Sequence, residues 1–253
     1  MKFGRVMVDE AEGTILAHSI KLRDVNFKKG RLLTNSDVAL LKQAKCADLV
    51  VARLGPNDLS EDEAARRIAT IFCGNNITSS EPFAGRCNLY AETAGLLDYQ
   101  TTRVDEVNLI DEAITIATLP VNELVAPHQM LATVKIIPYG VDKTVLEAVE
   151  TLHLGNTPLL RVAELEPRTV GLVQSTLPGM RDSVLDKTVA TLQARLERLG
   201  LRLLTERRCD HHEEEIAEAL QALNDAGCDL LLIAGASATA DRRDVVPLGI
   251  ELA

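Results

Sequence analysis

Apolar and polar positions follow two rhythms along this chain, and the change comes after residue 166. From Phe3 to about Ile20 the alternation is weak and breaks at Gly13, which predicts short strands. After a turn at Gly30, the cap candidates Thr34, Asn35 and Ser36 precede Val38 and Leu41 at helical spacing. Asp48–Arg53 reads as a strand and Gly55-Pro56-Asn57-Asp58 as a turn. Ser60 and Glu63 form a capping-box pattern for a helix reaching about Phe72. The polar run 74–82 is either a boundary or an ordered loop. Short strands are expected between Phe83 and Pro138, including the apolar runs Ala113–Leu119 and Met130–Pro138, with a helix around Val104–Ala113. A further helix runs from Lys143 to about Leu152 and ends in a break at 154–158. Residues 1–166 are therefore expected to form a mixed α+β, β-rich region.

Residues 167–253 alternate more regularly. Thr169–Ser175 predicts a strand, Pro178-Gly179 a turn, and Leu185–Leu199 a helix stopped by Gly200. Leu201–Thr205 is the next strand. Asp210 with Glu213 three residues on predicts a capped helix running to Ala226, ended by Gly227. The apolar run Leu230–Ala234 suits a buried strand of a parallel sheet. Short connections between these elements predict right-handed crossovers and a C-terminal doubly wound, mostly parallel sheet.

Ligands of such sheets sit beyond the carboxyl ends of the strands. Three loops meet that description: 175–183, 209–211 and 235–244. The third carries the most chemistry. Gly235-Ala236-Ser237-Ala238-Thr239-Ala240 is built of small residues, which let a ligand approach the backbone. The Ser237 and Thr239 hydroxyls and the backbone N–H groups can cradle an anion. Arg242 and Arg243 can clamp a phosphate, and Asp241 and Asp244 offer carboxylates for a metal or a proton. The plainer alternative is a loop of small residues followed by a solvated charge run.

Composition narrows the possibilities. With 27 Lys and Arg against 37 Asp and Glu, the net charge is −10, and Trp is absent. An acidic chain poor in aromatics lacks the basic face and stacking platforms of a nucleic-acid binder. No apolar segment approaches the ~20 residues that span a bilayer, and the N-terminus turns acidic too early for a signal peptide. A cytoplasmic protein with no membrane partner is expected. Cys46, Cys73, Cys87, Cys209 and Cys228 are widely spaced with no CxxC, which favours reduced thiols. Cys209-Asp210-His211-His212 is a candidate metal-ligand run, though its spacing suits a loop-to-helix junction better.

Several spaced signals also form a family pattern. Asp186-Lys187 follows the first strand of the segment, and Asp210 stands at the expected start of its second helix. Residues 235–240 form a small-residue loop, and Arg243-Asp244-Val245-Val246-Pro247 closes it. Together these make residues 167–253 resemble the molybdopterin-binding domain of molybdenum-cofactor biosynthesis proteins. The resemblance implies a molybdopterin ligand, with its phosphate on the 235–240 amides and Arg242 or Arg243. Ser175, Thr176, Asp186, Lys187, Gly235, Ala236, Ser237, Ala238, Thr239 and Asp241 would complete the binding set. Asp244 and Asp210 would be the catalytic pair if adenylyl or molybdate transfer occurs, with Mg²⁺ and a nucleotide. No residue is assigned as a resident metal ligand.

The chain departs from the family where Ala236, and Ala238 or Ala240, replace loop glycines, and the loop runs one residue longer. These changes bear on the chemistry more than on binding. They leave a non-catalytic cofactor carrier or interaction module as the alternative, with a nucleotide pyrophosphatase as a third. The segment also stops at Ala253, where a family domain would continue, so an incomplete domain is expected. Ala11–His18, Lys29–Thr34 and Met130–Pro138 resemble the leading region of a bacterial group of molybdopterin-binding proteins. Some of that group are fused to a cytidylyltransferase, of which no segment is found here. A molybdoenzyme or cofactor-synthesis partner is implied, and an open sheet end favours a homo-oligomer.

Overall fold

The computed structural model describes residues 1–23, 25–152, 158–166 and 168–253. The break expected at 154–158 and the change of rhythm at 167 therefore fall largely outside the described residues. The chain divides into two units, Met1–Glu164 and Leu165–Ala253.

In the first unit, antiparallel strands Lys2–Met7, Asp48–Arg53 and Ile15–Leu16 form one sheet, with Asp48–Arg53 in the centre. Helix Asn35–Gln43 contributes Val38 and Leu41 to a core shared with Leu16, Phe27, Leu33 and Val51. Its start is fixed by a true capping box. The Asp37 N–H donates to Thr34 Oγ1 at 3.3 Å and the Thr34 N–H to Asp37 Oδ2 at 3.1 Å. Arg31 grips the same carboxylate with Nε at 2.9 Å and Nη2 at 2.8 Å. The larger core lies between helix Glu61–Phe72 and a four-stranded antiparallel sheet ordered Ile114–Thr118, Met130–Ile136, Arg86–Ala91, Ile77–Ser79. The helix expected around 104–113 spans Thr101–Asn108.

The second unit is built on strand β1 (Thr169–Thr176), helix α1 (Asp182–Glu197), strand β2 (Arg202–Asp210), helix α2 (Glu213–Asp225), strand β3 (Leu230–Ala234) and helix α3 (Val245–Leu252). The three strands are parallel in the order β2-β1-β3, so the first strand in sequence sits in the middle. Residues of β1 alternate between faces. Gly171 and Val173 face α2: Val173 packs with Ile216 and Leu223, and a Cβ on Gly171 would come within 2.9 Å of Leu223. Gln174 faces the other way, donating through Nε2 to the Leu185 carbonyl of α1 at 3.2 Å. One crossover helix thus covers each face. The doubly wound, mostly parallel sheet expected from sequence is here a small parallel sheet of three strands, and the chain as a whole is mixed α/β with mainly antiparallel sheets.

In the second unit, two helix starts differ from expectation. Asp210 is no helix cap: β2 runs on past Thr205 and ends on Asp210, paired with Thr176. His212 is the N-cap of α2, without a side-chain capping bond. The long β1 offers ladder positions up to Thr176, and that pairing outweighs the local Asp-x-x-Glu signal. Helix α1 begins at Asp182, three residues before the expected start.

Candidate functional site

The carboxyl ends of β1, β2 and β3 meet at one end of the sheet, and three side chains link them there. Ser175 is the penultimate residue of β1, on the same face as Gly171 and Val173. His211 follows β2, its backbone N–H donating to the Thr176 carbonyl at 2.9 Å. Ser237 lies in the loop after β3. Ser175 Oγ and His211 Nδ1 are 2.9 Å apart, and His211 Nε2 and Ser237 Oγ are also 2.9 Å apart. The Ala236 N–H donates to Ser175 Oγ at 3.0 Å, tying the loop to the central strand. Ser175 is only 1% exposed, His211 is half-buried, and Ser237 is open to solvent. A chain of hydrogen bonds therefore leads from the sheet interior to the surface.

The rest of the 235–244 loop is held by its own carboxylates. Asp244 Oδ2 accepts from the N–H groups of Ala240 at 2.5 Å and Asp241 at 2.8 Å. The Asp241 and Ala240 amides hold the Asp244 carboxyl below the usual aspartate range. Asp241 Oδ1 accepts the Arg243 N–H at 2.9 Å. A Cβ on Gly235 would come within 2.9 Å of Val246, so glycine permits α3 to pack against the loop. Among the described residues, the N–H groups of Ser237, Ala238 and Thr239 have no acceptor. The Arg242 and Arg243 guanidinium groups have no hydrogen bond or ion pair with any described residue, and both residues are exposed. Thr239 is exposed as well.

Other residues singled out from sequence are engaged elsewhere. Asp186 accepts from Arg208 Nη2 at 2.6 Å, in a network where Arg208 also reaches Glu206 at 2.7 Å and Asp182 at 3.5 Å. Its hydrogen bonds to the Glu206 and then the Asp186 carboxylate push the Arg208 pKa further up. Gln174 Nε2 joins the network at Glu206, so Asp186 serves the junction of α1 with β2. Lys187 lines an apolar groove of about 490 Å³ between α1 and β3, together with Leu172, Leu232 and Ala234. The Thr176 hydroxyl donates to the Cys209 carbonyl at 3.2 Å. The exposed Asp210 has its carbonyl bonded to the His212 N–H at 2.8 Å.

The Cys209–His212 run is also split as a metal-ligand set. His211 is occupied by the two serines, while His212 turns to Glu214 and lies 3.8 Å from Glu213. Burial pushes the Cys209 thiol up, away from the thiolate that binds metals. His212, Glu213 and Glu214 place ligand atoms within 4.8 Å of one another on the first turn of α2. All five cysteines are free thiols. The sequence marks His211 only as a possible metal ligand, because its hydrogen-bond partners lie 36 positions before it and 26 after it.

Among the described residues, no helix is long and apolar enough to cross a membrane. A family model described as "Domain of unknown function (DUF8806)" matches residues 5–53, within the first unit and outside the site. No curated protein sequence matches the chain. Among solved structures, it is similar to the nicotinate-nucleotide pyrophosphorylase from Francisella tularensis, with 10% identity over 77% of this chain and 89% of that one. The TM-score of that match is 0.22, too low to carry any argument about fold or function.

Proposed function

We propose that residues 165–253 bind a phosphorylated small molecule at the 235–244 loop, and that the ligand is a pterin phosphate of the molybdopterin type. The chain would then act in the synthesis or handling of the molybdenum cofactor. One observation carries the binding step. The free N–H groups of Ser237, Ala238 and Thr239 adjoin a serine hydroxyl wired to His211, on the loop that bears the uncommitted Arg242 and Arg243. Preorganised amide donors with nearby guanidinium groups suit a phosphate. The pterin identity rests on the sequence resemblance, as does the reading of the three-stranded sheet as part of a larger doubly wound domain.

Holding the ligand without turnover is the form the loop favours. Adenylyl or molybdate transfer calls for carboxylates that hold Mg²⁺, and Asp244 already gives one oxygen to two backbone amides. Asp241 likewise accepts the Arg243 amide. These residues do not fit a preformed Mg²⁺ site. A pyrophosphatase is the competing class.

Calorimetric titration of the full chain with molybdopterin, and separately with inorganic phosphate, tests the proposal. Binding of both, weakened at least about tenfold by Arg242→Ala with Arg243→Ala, supports it. Binding of neither overturns it. Mg²⁺-dependent hydrolysis of nucleoside triphosphates or dinucleotides would favour the pyrophosphatase instead.

A further inference from the structure

We infer that His211 is a positioning residue held with its proton on Nε2, which makes Ser237 a hydroxyl donor toward a phosphoryl group and not a nucleophile.

The buried end of the hydrogen-bond chain sets the direction. Ser175 is 1% exposed, so its hydroxyl proton must find an acceptor inside the protein. The Ala236 N–H is itself a donor to Ser175 Oγ and can accept nothing. Among the described residues, the acceptor within reach is His211 Nδ1, at 2.9 Å. The opposite tautomer, with Nδ1 protonated, would aim two N–H donors at one buried hydroxyl and strand its proton. A neutral imidazole whose Nδ1 accepts carries its proton on Nε2. Nε2–H then donates across 2.9 Å to Ser237 Oγ. Four donors run head to tail, from the Ala236 N–H through Ser175 and His211 to the Ser237 hydroxyl, and each polarises the next.

That direction separates two chemistries. A nucleophilic serine needs an unprotonated nitrogen beside it to take its proton. Here the facing nitrogen already holds one, so the exposed end of the chain gives a proton outward. Beside it stand the free N–H groups of Ser237, Ala238 and Thr239. A phosphoryl group, with several acceptor oxygens, matches such a set of donors. The phosphoryl assignment rests on the functional reading above, whereas the tautomer does not.

Long-range proton–nitrogen correlation spectra of the full chain read the tautomer directly, at about pH 8.5, above the ordinary imidazole range. The His211 signals are assigned by their loss in His211→Gln. The expected spectrum shows Nδ1 unprotonated and Nε2 protonated in the ligand-free protein. A protonated Nδ1 overturns the inference whatever binds. Adding inorganic phosphate should then shift the Nε2 signal. Ser237→Ala should weaken phosphate binding about tenfold or more, and Ser237→Thr should restore it. The expected tautomer without phosphate binding by the wild-type chain would sink the functional reading and the phosphoryl assignment, leaving the tautomer standing. Covalent labelling of Ser237 by a fluorophosphonate would show a serine activated by a bare base and overturn the donor role.

Discussion

Asp244 is the N-cap of α3, yet its carboxylate turns back to accept the Asp241 N–H at 2.8 Å instead of capping its own helix. The residue that looks most like a ligand-binding acid in the sequence is thus a staple of the loop. Replacing it with alanine should release the 240–241 turn. Amide exchange at Ala240 and Asp241 is expected to quicken more than tenfold in Asp244→Ala, while β1 stays protected.

The staple should also respond to acid. The Asp244 carboxyl is held below its ordinary value by the Asp241 and Ala240 amides. A depressed folded-state pKa stabilises above the unfolded value of about 3.9 and loses that contribution as pH falls through the folded value. Exchange protection of the loop amides should therefore hold above about pH 4 and decline below it. Protection that declines near pH 6 instead would assign the staple to another group.

Asp186 should prove dispensable for ligand binding. Its carboxylate is engaged by Arg208 at 2.6 Å. Asp186→Asn is expected to leave phosphate affinity within about twofold, because a partly exposed ion pair contributes little beyond its own surroundings. A tenfold loss measured by titration would place Asp186 in the site after all.

Gly249 is the point where α3 meets α2. A Cβ there would lie 2.8 Å from Ile216 Cγ2 and 3.0 Å from the Glu213 carbonyl oxygen. Gly249→Leu should destabilise this unit by about 1–3 kcal/mol in denaturant unfolding. It should also weaken phosphate binding, since Val246 of the same helix packs at Gly235.

In the first unit, Asp37→Ala removes both halves of the capping box and the Arg31 contact. A loss of about 1–3 kcal/mol is expected in thermal or urea unfolding. The bidentate Arg31 contact and the Thr34 bonds lower the Asp37 pKa. In the wild-type chain that contribution should be present at neutral pH and fade only in acid below the ordinary aspartate range.

What could be read from sequence was local. The helix over Glu61–Phe72 follows from Ser60, whose side chain accepts the Glu63 N–H, and Leu230–Ala234 forms a strand because a short apolar run between Asp229 and Gly235 has few other outcomes. Asp210 misled because its spacing to Glu213 satisfies a capping rule, while the competing pull came from Thr176, 34 positions earlier and visible only in the sheet register. The loop 235–244 could be named from its small residues and arginines. Its internal bonds could not, since a carboxylate that folds onto its own amides and one that faces a ligand have the same letters. The serine–histidine relay had no motif at all: it exists only because parallel pairing brings three strand ends together.

That parallel pairing also sets when the site can exist during folding. Ser175 lies on the first strand of its sheet, and the amide that holds it, from Ala236, arrives 61 positions later. No hairpin can bring them together early; both crossover helices must first pack, one on each face of β1. A refolding chain should therefore regain helical signal well before it can bind phosphate. Recovery of binding would time the docking of β3, making the site a clock for the last step of assembly.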